Sequence, residues 1–237
     1  MKSIGIIGYG QFGKFVAQHL SAYASVKAYD PNGGTHDLKT VCASDLLVFA
    51  VTAQRMEDAA LAAAPLVPPE TLIADVCSVK VRPLEILKHH FPKNSLLGTH
   101  PIFGPQSGKN GIAGLPVVLC NVSWAPSVYA DVKEFLATTL KLTVIEKTPE
   151  EHDLEMARVQ GLAHFIGRAL KEIAIQDYDT STYSYKQLLK LRDLLKDDSW
   201  ELFKTIENEN PYAADVRRGF LAVLESLNTK LDAEATS

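Results

Sequence analysis

Residues 4–13, IGIIGYGQFG, decide how the rest of the chain is read. An apolar run ends at Ile7, the hexad Gly8-Tyr9-Gly10-Gln11-Phe12-Gly13 follows, and an amphipathic segment begins at once. A G-x-G-x-x-G turn between a strand and a helix gives its glycines three jobs: a tight turn, close approach of the backbone to a pyrophosphate, and close packing of helix on strand. The helix N-terminus adds unpaired N–H groups and positive potential. The hexad is therefore expected to be a dinucleotide cradle, with Tyr9, Gln11 and Phe12 lining it between the glycines.

Outward from the hexad, short apolar runs and amphipathic segments alternate. Residues 4–7, 26–29, 46–51, 72–76, 96–98, 117–119 and 143–145 read as strands, and 11–21, 54–64, 80–90 and 127–139 as helices. The strands are continuously apolar rather than alternating, as in a sheet covered on both faces. Strands alternating with helices predict βαβ units and a mostly parallel sheet. Thr148-Pro149-Glu150-Glu151 then reads as a helix start, with proline early and acids in the first turn. A helical period runs on from 150 to 178 through Leu162, Ile166, Ala169, Leu170 and Ile173, and further helices are expected over 183–196, 199–207 and 212–231. The expected fold class is α/β: a Rossmann-type, doubly wound, mostly parallel sheet over 1–148, followed by an all-α helical unit over 149–237.

The 237 residues are 46% apolar, enough for a sizeable core, and carry a net charge of −4. That balance argues against nucleic acid or an anionic membrane as the main partner. No apolar run reaches the length of a membrane span, and the N-terminus enters a strand pattern with no small-residue cleavage site. Cys42, Cys77 and Cys120 are odd in number and match no zinc or disulfide spacing. They read as buried thiols in a reducing cytosol; the expected location is cytoplasmic, with no metal.

Asp30 ends the second strand at VKAYD, seventeen residues beyond Gly13. Its carboxylate can accept from the adenosine ribose hydroxyls, whereas a 2′-phosphate there meets like charge. No arginine follows in DPNGG to receive one, so the sequence favours NAD over NADP. Thr52, closing its strand at AVT, lies where the chain passes the nicotinamide half; capping the next helix is its alternative role.

Open α/β sheets bind ligands at the carboxyl ends of their strands. Two such ends carry chemistry: ADVCSVK, with Ser78 and Lys80, and LLGTHP, with His100. Imidazole is the natural proton acceptor near neutral pH. Alcohol oxidation by NAD needs such a base, because the hydroxyl loses its proton as hydride leaves carbon. A capping or core histidine is the other reading of His100. Ser78 can fix the imidazole tautomer or hold the substrate oxygen, or simply start a helix. Lys80 reads equally as a solvated residue of a first turn. In the glycine-rich loop after His100, Lys109 offers a cation to a substrate carboxylate and Gln106 an amide; an ordinary surface loop is the alternative. In EEHDLEMARVQGLAHFIGR, Gln160 and His164 stand four apart and share a helix face, with His152 two turns before Gln160. These can face a cleft, or be satisfied core groups.

Together, GIIGYGQFG, DVCSVK, THPIFGPQSGKNG, EHD…Q…H and DDSWELF resemble the prephenate/arogenate dehydrogenase family of tyrosine biosynthesis, most of all its compact plant-type arogenate dehydrogenases without a regulatory extension. The stretches reach from the N-terminus to about residue 210, and THPIFGPQSGKNG is far more specific than the glycine hexad. The resemblance implies a helical dimerisation domain and a homodimer. It implies NAD(P)-dependent oxidative decarboxylation of arogenate to tyrosine or of prephenate to 4-hydroxyphenylpyruvate. His100 would accept the ring-hydroxyl proton, Ser78 would bond at that oxygen or at the imidazole, and Gln160 would meet the substrate. Asp198, in DDSWELF, matches an acidic position that goes with arogenate and with tyrosine feedback inhibition. A carboxylate there prefers arogenate's ammonium to prephenate's keto group; a helix N-cap is its other reading.

Two departures from the family pattern stand out. Plant relatives carry neutral or basic residues where Asp30 stands, and use NADP. Many microbial relatives grip the substrate carboxylate with an arginine where this chain has Ser184, leaving Lys109, Lys186 or Arg217 as substitutes. Two rival readings remain: another Rossmann-plus-helical reductase, for an imine or a β-hydroxy acid, and a non-catalytic dinucleotide sensor that has no use for His100.

Overall fold

The apolar runs pair into one seven-stranded sheet in the order β2-β1-β3-β4-β5-β6-β7, in a computed structural model that describes residues 2–235. The strands are β1 (Ser3–Ile7), β2 (Ser25–Tyr29), β3 (Leu46–Phe49), β4 (Leu72–Asp75), β5 (Leu96–Pro101), β6 (Pro116–Asn121) and β7 (Thr143–Glu146). Helices α1 (Gln11–Leu20), α2 (Leu38–Cys42), α3 (Ala53–Ala63), α4 (Val81–His90) and α5 (Pro126–Glu134) connect them. Neighbouring strands run parallel except β5 and β6, which are antiparallel with His100 opposite Val118. The exception follows from the connection. No helix lies between β5 and β6, so the chain turns back through a loop instead of crossing over. The sequence reading passed over α2, whose five residues are too few to show a period. Asp37 caps it, accepting from the Thr40 N–H at 2.9 Å.

Both faces of the sheet are covered, which is why the strands are apolar throughout. In β3, Leu46 and Val48 join one cluster with Ala17 of α1 and Val128 and Val132 of α5. Leu47 and Phe49 join another with Met56, Ala60 and Ala63 of α3 and Leu87 of α4. Each large side chain buried this way contributes about 1.5–3 kcal/mol. Trp124 fastens the turn before α5, its Nε1 donating to the carbonyls of Ile73 and Ser95 at 3.2 Å each.

The chain divides into two compact units between His152 and Asp153. Helix α6 (Pro149–Met156) begins with a capping box: Thr148 Oγ1 accepts from the Glu151 N–H at 3.1 Å, and Glu151 Oε2 accepts from the Thr148 N–H at 2.9 Å. A π-helical turn at Ala157–Leu162 leads into α7 (Ala163–Glu172), followed by α8 (Tyr183–Leu195), α9 (Trp200–Asn208) and α10 (Ala213–Ala235). The helix expected to reach residue 178 stops at Glu172, because Ala174 adopts a left-handed φ of 53°. Ile173, taken for an apolar-face position, is 69% exposed. Gly167 lets α8 pack closely on α7: a Cβ there would lie 2.5 Å from Leu195 Cδ1.

Leu119, in the middle of the reversed strand β6, is fully buried. Leu119→Ala is expected to destabilise the protein by about 2–5 kcal/mol in urea titrations. A loss well under about 1 kcal/mol would show that β6 is peripheral to the core.

Candidate active site

Strand order reverses at β1, which lies between β2 and β3, so ligands bind outside the carboxyl ends of these strands. The three glycines there differ sharply. Gly8 leaves β1 at φ 99°, and a Cβ on it would lie 2.6 Å from the Ala50 carbonyl oxygen. A Cβ on Gly13 would lie 2.0 Å from the Gly8 carbonyl oxygen, so α1 starts this close to β1 only without one. A Cβ on Gly10 would meet nothing within 4 Å. Gly8 and Gly13 thus serve the fold, and Gly10 leaves room for a ligand. Gly10 is also the N-cap of α1, whose first turn has no side-chain cap and no acid. Such a helix end fits a pyrophosphate.

Asp30 Oδ2 accepts from the Tyr9 N–H at 2.8 Å, and Oδ1 accepts from the Asn32 N–H at 2.9 Å. The acid expected to meet a ribose therefore also holds the cradle's backbone. Gln11 is exposed and Phe12 half-buried at the start of α1. Thr52 is the N-cap of α3 by backbone, yet its hydroxyl makes no capping bond. The capping alternative for that hydroxyl is not realised.

His100 lies near the end of β5 and is 4% exposed. Its Nδ1 is 2.8 Å from Nε2 of His152, itself fully buried. The reading of Lys80 as a solvated residue is overturned: the side chain is fully buried. Lys80 Nζ donates to Asp75 Oδ2 at 2.5 Å and to the Thr99 carbonyl at 2.7 Å. Thr99 Oγ1 in turn donates to the Asp75 carbonyl at 2.6 Å. The residue preceding His100 is thus tied twice to the end of β4. Asp75 also accepts from the Cys77 N–H at 2.9 Å, while its Oδ1 is buried without a partner. Burial pushes the Asp75 carboxyl up, against the pull of the Lys80 ammonium. Burial holds His100 well below the usual imidazole range, and the charges of His152 and Lys80 add to the effect. Ser78 sits half-buried in the turn between Asp75 and Lys80, but the hydrogen-bond partner of His100 is His152.

Asp75 escaped the sequence reading, although an acid closing the apolar run LIAD five residues before a lysine was the available signal. His152 was weighed there and left out of the centre. The loop after His100 is anchored rather than free. Phe103 packs edge-on against Phe15 with ring centroids 6.2 Å apart, and a Cβ on Gly108 would lie 2.6 Å from Phe15 Cζ. Gln106 and Lys109 are exposed on it.

In the helical unit, Gln160 is half-buried within the π turn, where i→i+5 bonding widens the helix. His164 is the second residue of α7, and its Nδ1 lies 3.3 Å from Asp198 Oδ2. Burial lowers the His164 pKa and raises that of Asp198; each charge partly offsets the other's burial. The N-cap reading of Asp198 is overturned, because Ser199 fills that role by accepting from the Leu202 N–H at 3.1 Å. Of the cations expected to replace the missing arginine, Arg217 is spent on Glu207 at 2.5 Å, and Lys109 and Lys186 are exposed. Ser184 is exposed too. Among the described residues, no group of three or more His, Cys, Asp and Glu is placed to hold a metal, and no helix is long and apolar enough to cross a membrane.

A glycine cradle under an uncapped helix, at the point where a mostly parallel sheet reverses its strand order, defines a dinucleotide-binding Rossmann protein. Residues 18–143 match the family described as prephenate dehydrogenase, nucleotide-binding domain, and the chain belongs to that family. It is 29% identical over 248 residues to arogenate dehydrogenase 1 of Arabidopsis thaliana, covering 96% of this chain and 39% of that protein. To arogenate dehydrogenase 2 of the same plant it is 32% identical over 166 residues, covering 68% and 46%. The chain therefore spans less than half the length of these curated relatives. Its fold matches that of prephenate dehydrogenase from A. aeolicus, crystallised with hydroxyphenyl propionate and NAD+, with a TM-score of 0.75 at 18% identity, covering 100% of this chain and 93% of the other. Synechocystis arogenate dehydrogenase matches with a TM-score of 0.69 at 18% identity, covering 97% and 93%.

The separate duties of the glycines are testable. Gly10→Ala should lower the thermal transition only slightly, through the poorer helix cap, and weaken dinucleotide binding in calorimetric titration, because its methyl meets no protein atom and enters ligand space. Gly13→Ala should lower the transition itself. Equal effects of the two substitutions on stability would contradict this division.

Proposed function

We propose that the chain catalyses the NAD-dependent oxidative decarboxylation of arogenate, or of prephenate, and that His100 is its base. The observation that carries this is one buried imidazole at the carboxyl end of β5, held at Nδ1 by a second imidazole and kept below the usual pKa range. A base must be unprotonated to act, and burial favours that form near neutral pH. When His100 donates from Nδ1 to His152, its Nε2 lone pair is left for the substrate's ring hydroxyl.

A bound nicotinamide supplies the hydride acceptor. As hydride leaves the ring carbon, His100 takes the hydroxyl proton and the carbon–oxygen double bond forms. Loss of the ring carboxylate as carbon dioxide returns an electron pair to the ring, and His100 gives its proton back to the resulting phenolate. The step consumes no net proton, and aromatisation makes it practically irreversible. Ser78 would hydrogen-bond the same oxygen.

Gly8, Tyr9, Gly10, Gln11, Phe12 and Gly13 would hold the pyrophosphate, Asp30 the adenosine ribose and Thr52 the nicotinamide half. Asp30 supports NAD over NADP, since its carboxylate, bonded to the cradle, opposes a 2′-phosphate. Gln106, Lys109, Gln160, His164 and Asp198 are the proposed substrate contacts, with Asp198 favouring arogenate, and tyrosine is the proposed feedback inhibitor. In this reading residues 1–148 bind the dinucleotide, 149–237 carry substrate and dimer contacts, and the enzyme works in the cytoplasm. A homodimer is supported by α10, where Leu224, Leu227 and Leu231 recur at helical spacing and are each about half exposed or more.

The test is turnover with NAD and each substrate, followed by His100→Asn. That variant should keep its NAD affinity and lose about 10²–10⁴-fold in kcat. Absence of NADH formation from both substrates by the unaltered protein, or a variant as fast as the parent, contradicts the proposal.

A further inference from the structure

Three strand ends meet at one buried carboxylate. Asp75, the last residue of β4, accepts through Oδ2 from the Cys77 N–H at 2.9 Å and from Lys80 Nζ at 2.5 Å. Toward β5, Lys80 Nζ donates to the Thr99 carbonyl at 2.7 Å, and Thr99 Oγ1 donates to the Asp75 carbonyl at 2.6 Å. Toward β3, the Cys77 thiol donates to the carbonyl of Val51, just before Thr52, at 3.1 Å. Asp75 and Lys80 also bracket the turn that carries Ser78, and their ion pair closes it. Glycine at position 98, two residues before His100, leaves the lysine its path: a Cβ there would lie 3.2 Å from Lys80 Cδ and 2.8 Å from Leu84 Cδ1.

Stability does not explain this arrangement. A buried ion pair is often no more stabilising than an apolar pair of its volume. Here Asp75 Oδ1 is moreover buried without a partner. An apolar pair, however, could neither hold β5 and the Ser78 turn by directed hydrogen bonds nor put a cation near His100.

We propose that Lys80, fixed by Asp75, is a positioning residue of the reaction: it sets His100 and Ser78 against the proposed nicotinamide seat at Thr52. This rests on the role given to His100 above. Lys80 is fully buried and its ammonium is engaged by Asp75 and Thr99, so it acts through His100 and not on a ligand. Burial, His152 and then the charge of Lys80 hold the His100 ring neutral.

The double variant Lys80→Met, Asp75→Asn separates position from stability. Both charges leave together, the volumes hardly change, and the new amide can still accept from the Cys77 N–H. Its thermal transition should stay cooperative and its NAD affinity, by calorimetric titration, should match the parent's. Its kcat should fall by about 10- to 100-fold. The acidic limb of its kcat/KM profile should move to higher pH, because loss of the Lys80 charge lets the His100 pKa rise. If this variant does not fold, Lys80→Arg carries the test. It keeps the charge, but a planar fork does not reproduce the contacts of a single ammonium, so kcat should fall with the acidic limb in place.

A folded double variant with the parent's kcat and acidic limb, or Lys80→Arg with the parent's kcat, would reduce the pair to a structural plug and overturn the proposal. The dehydrogenase reading fails separately, through absence of turnover in the parent chain. Histidine NMR of the double variant then still tests the coupling: a raised His100 pKa supports it, and an unchanged one overturns it.

Discussion

The buried ion pair between Lys80 and Asp75 is the constraint on which the catalytic centre depends. It joins the last residue of β4 to the turn that starts α4, and through the Thr99 carbonyl it fixes the backbone just before His100. An apolar pair of the same volume would stabilise the fold at least as well, because desolvating two charges offsets most of their attraction. Asp75 Oδ1, buried without a partner, adds a further penalty of about 1–3 kcal/mol. What the pair supplies is position: parallel strands β4 and β5 end in register, with their side chains at a fixed distance. Removing either partner alone leaves an unpaired buried charge, a loss of about 3–5 kcal/mol.

The same pair shapes the electrostatics above it. Burial, a second imidazole beside it and the charge of Lys80 all favour the neutral ring of His100. The consequence for stability has a definite sign. Because the folded pKa lies below the ordinary 6.5, the unfolded chain binds the proton first as pH falls. His100 therefore removes stability below about pH 6.5 and contributes no pH dependence above it. The cost of a buried, unprotonated base thus falls outside the neutral range in which it would act.

The glycine hexad was readable because each glycine answers a separate steric demand, and the structure separates those demands atom by atom. The doubly covered sheet was readable from unbroken apolar strands, and His100 from its place at a strand end. Other features left only faint or ambiguous local signals. Asp75 closes a strand, where an acid reads as solvated. The π turn at Ala157–Leu162 disturbs a period only slightly, so Gln160 and His164 looked like an ordinary helical pair. Two adjacent residues, Asp198 and Ser199, compete to cap α9, and only backbone geometry assigns the role to Ser199.

If one neutral imidazole, held from behind by another, is the chemical heart of this protein, its protonation is the property to measure. Site-resolved NMR titration of isotope-labelled histidines, with the His100 signals assigned by substitution, reads it directly. The account predicts that the His100 ring is still neutral below pH 6.5, with its proton on Nδ1. A ring that titrates at or above pH 6.5, or that carries its neutral-state proton on Nε2, would contradict it.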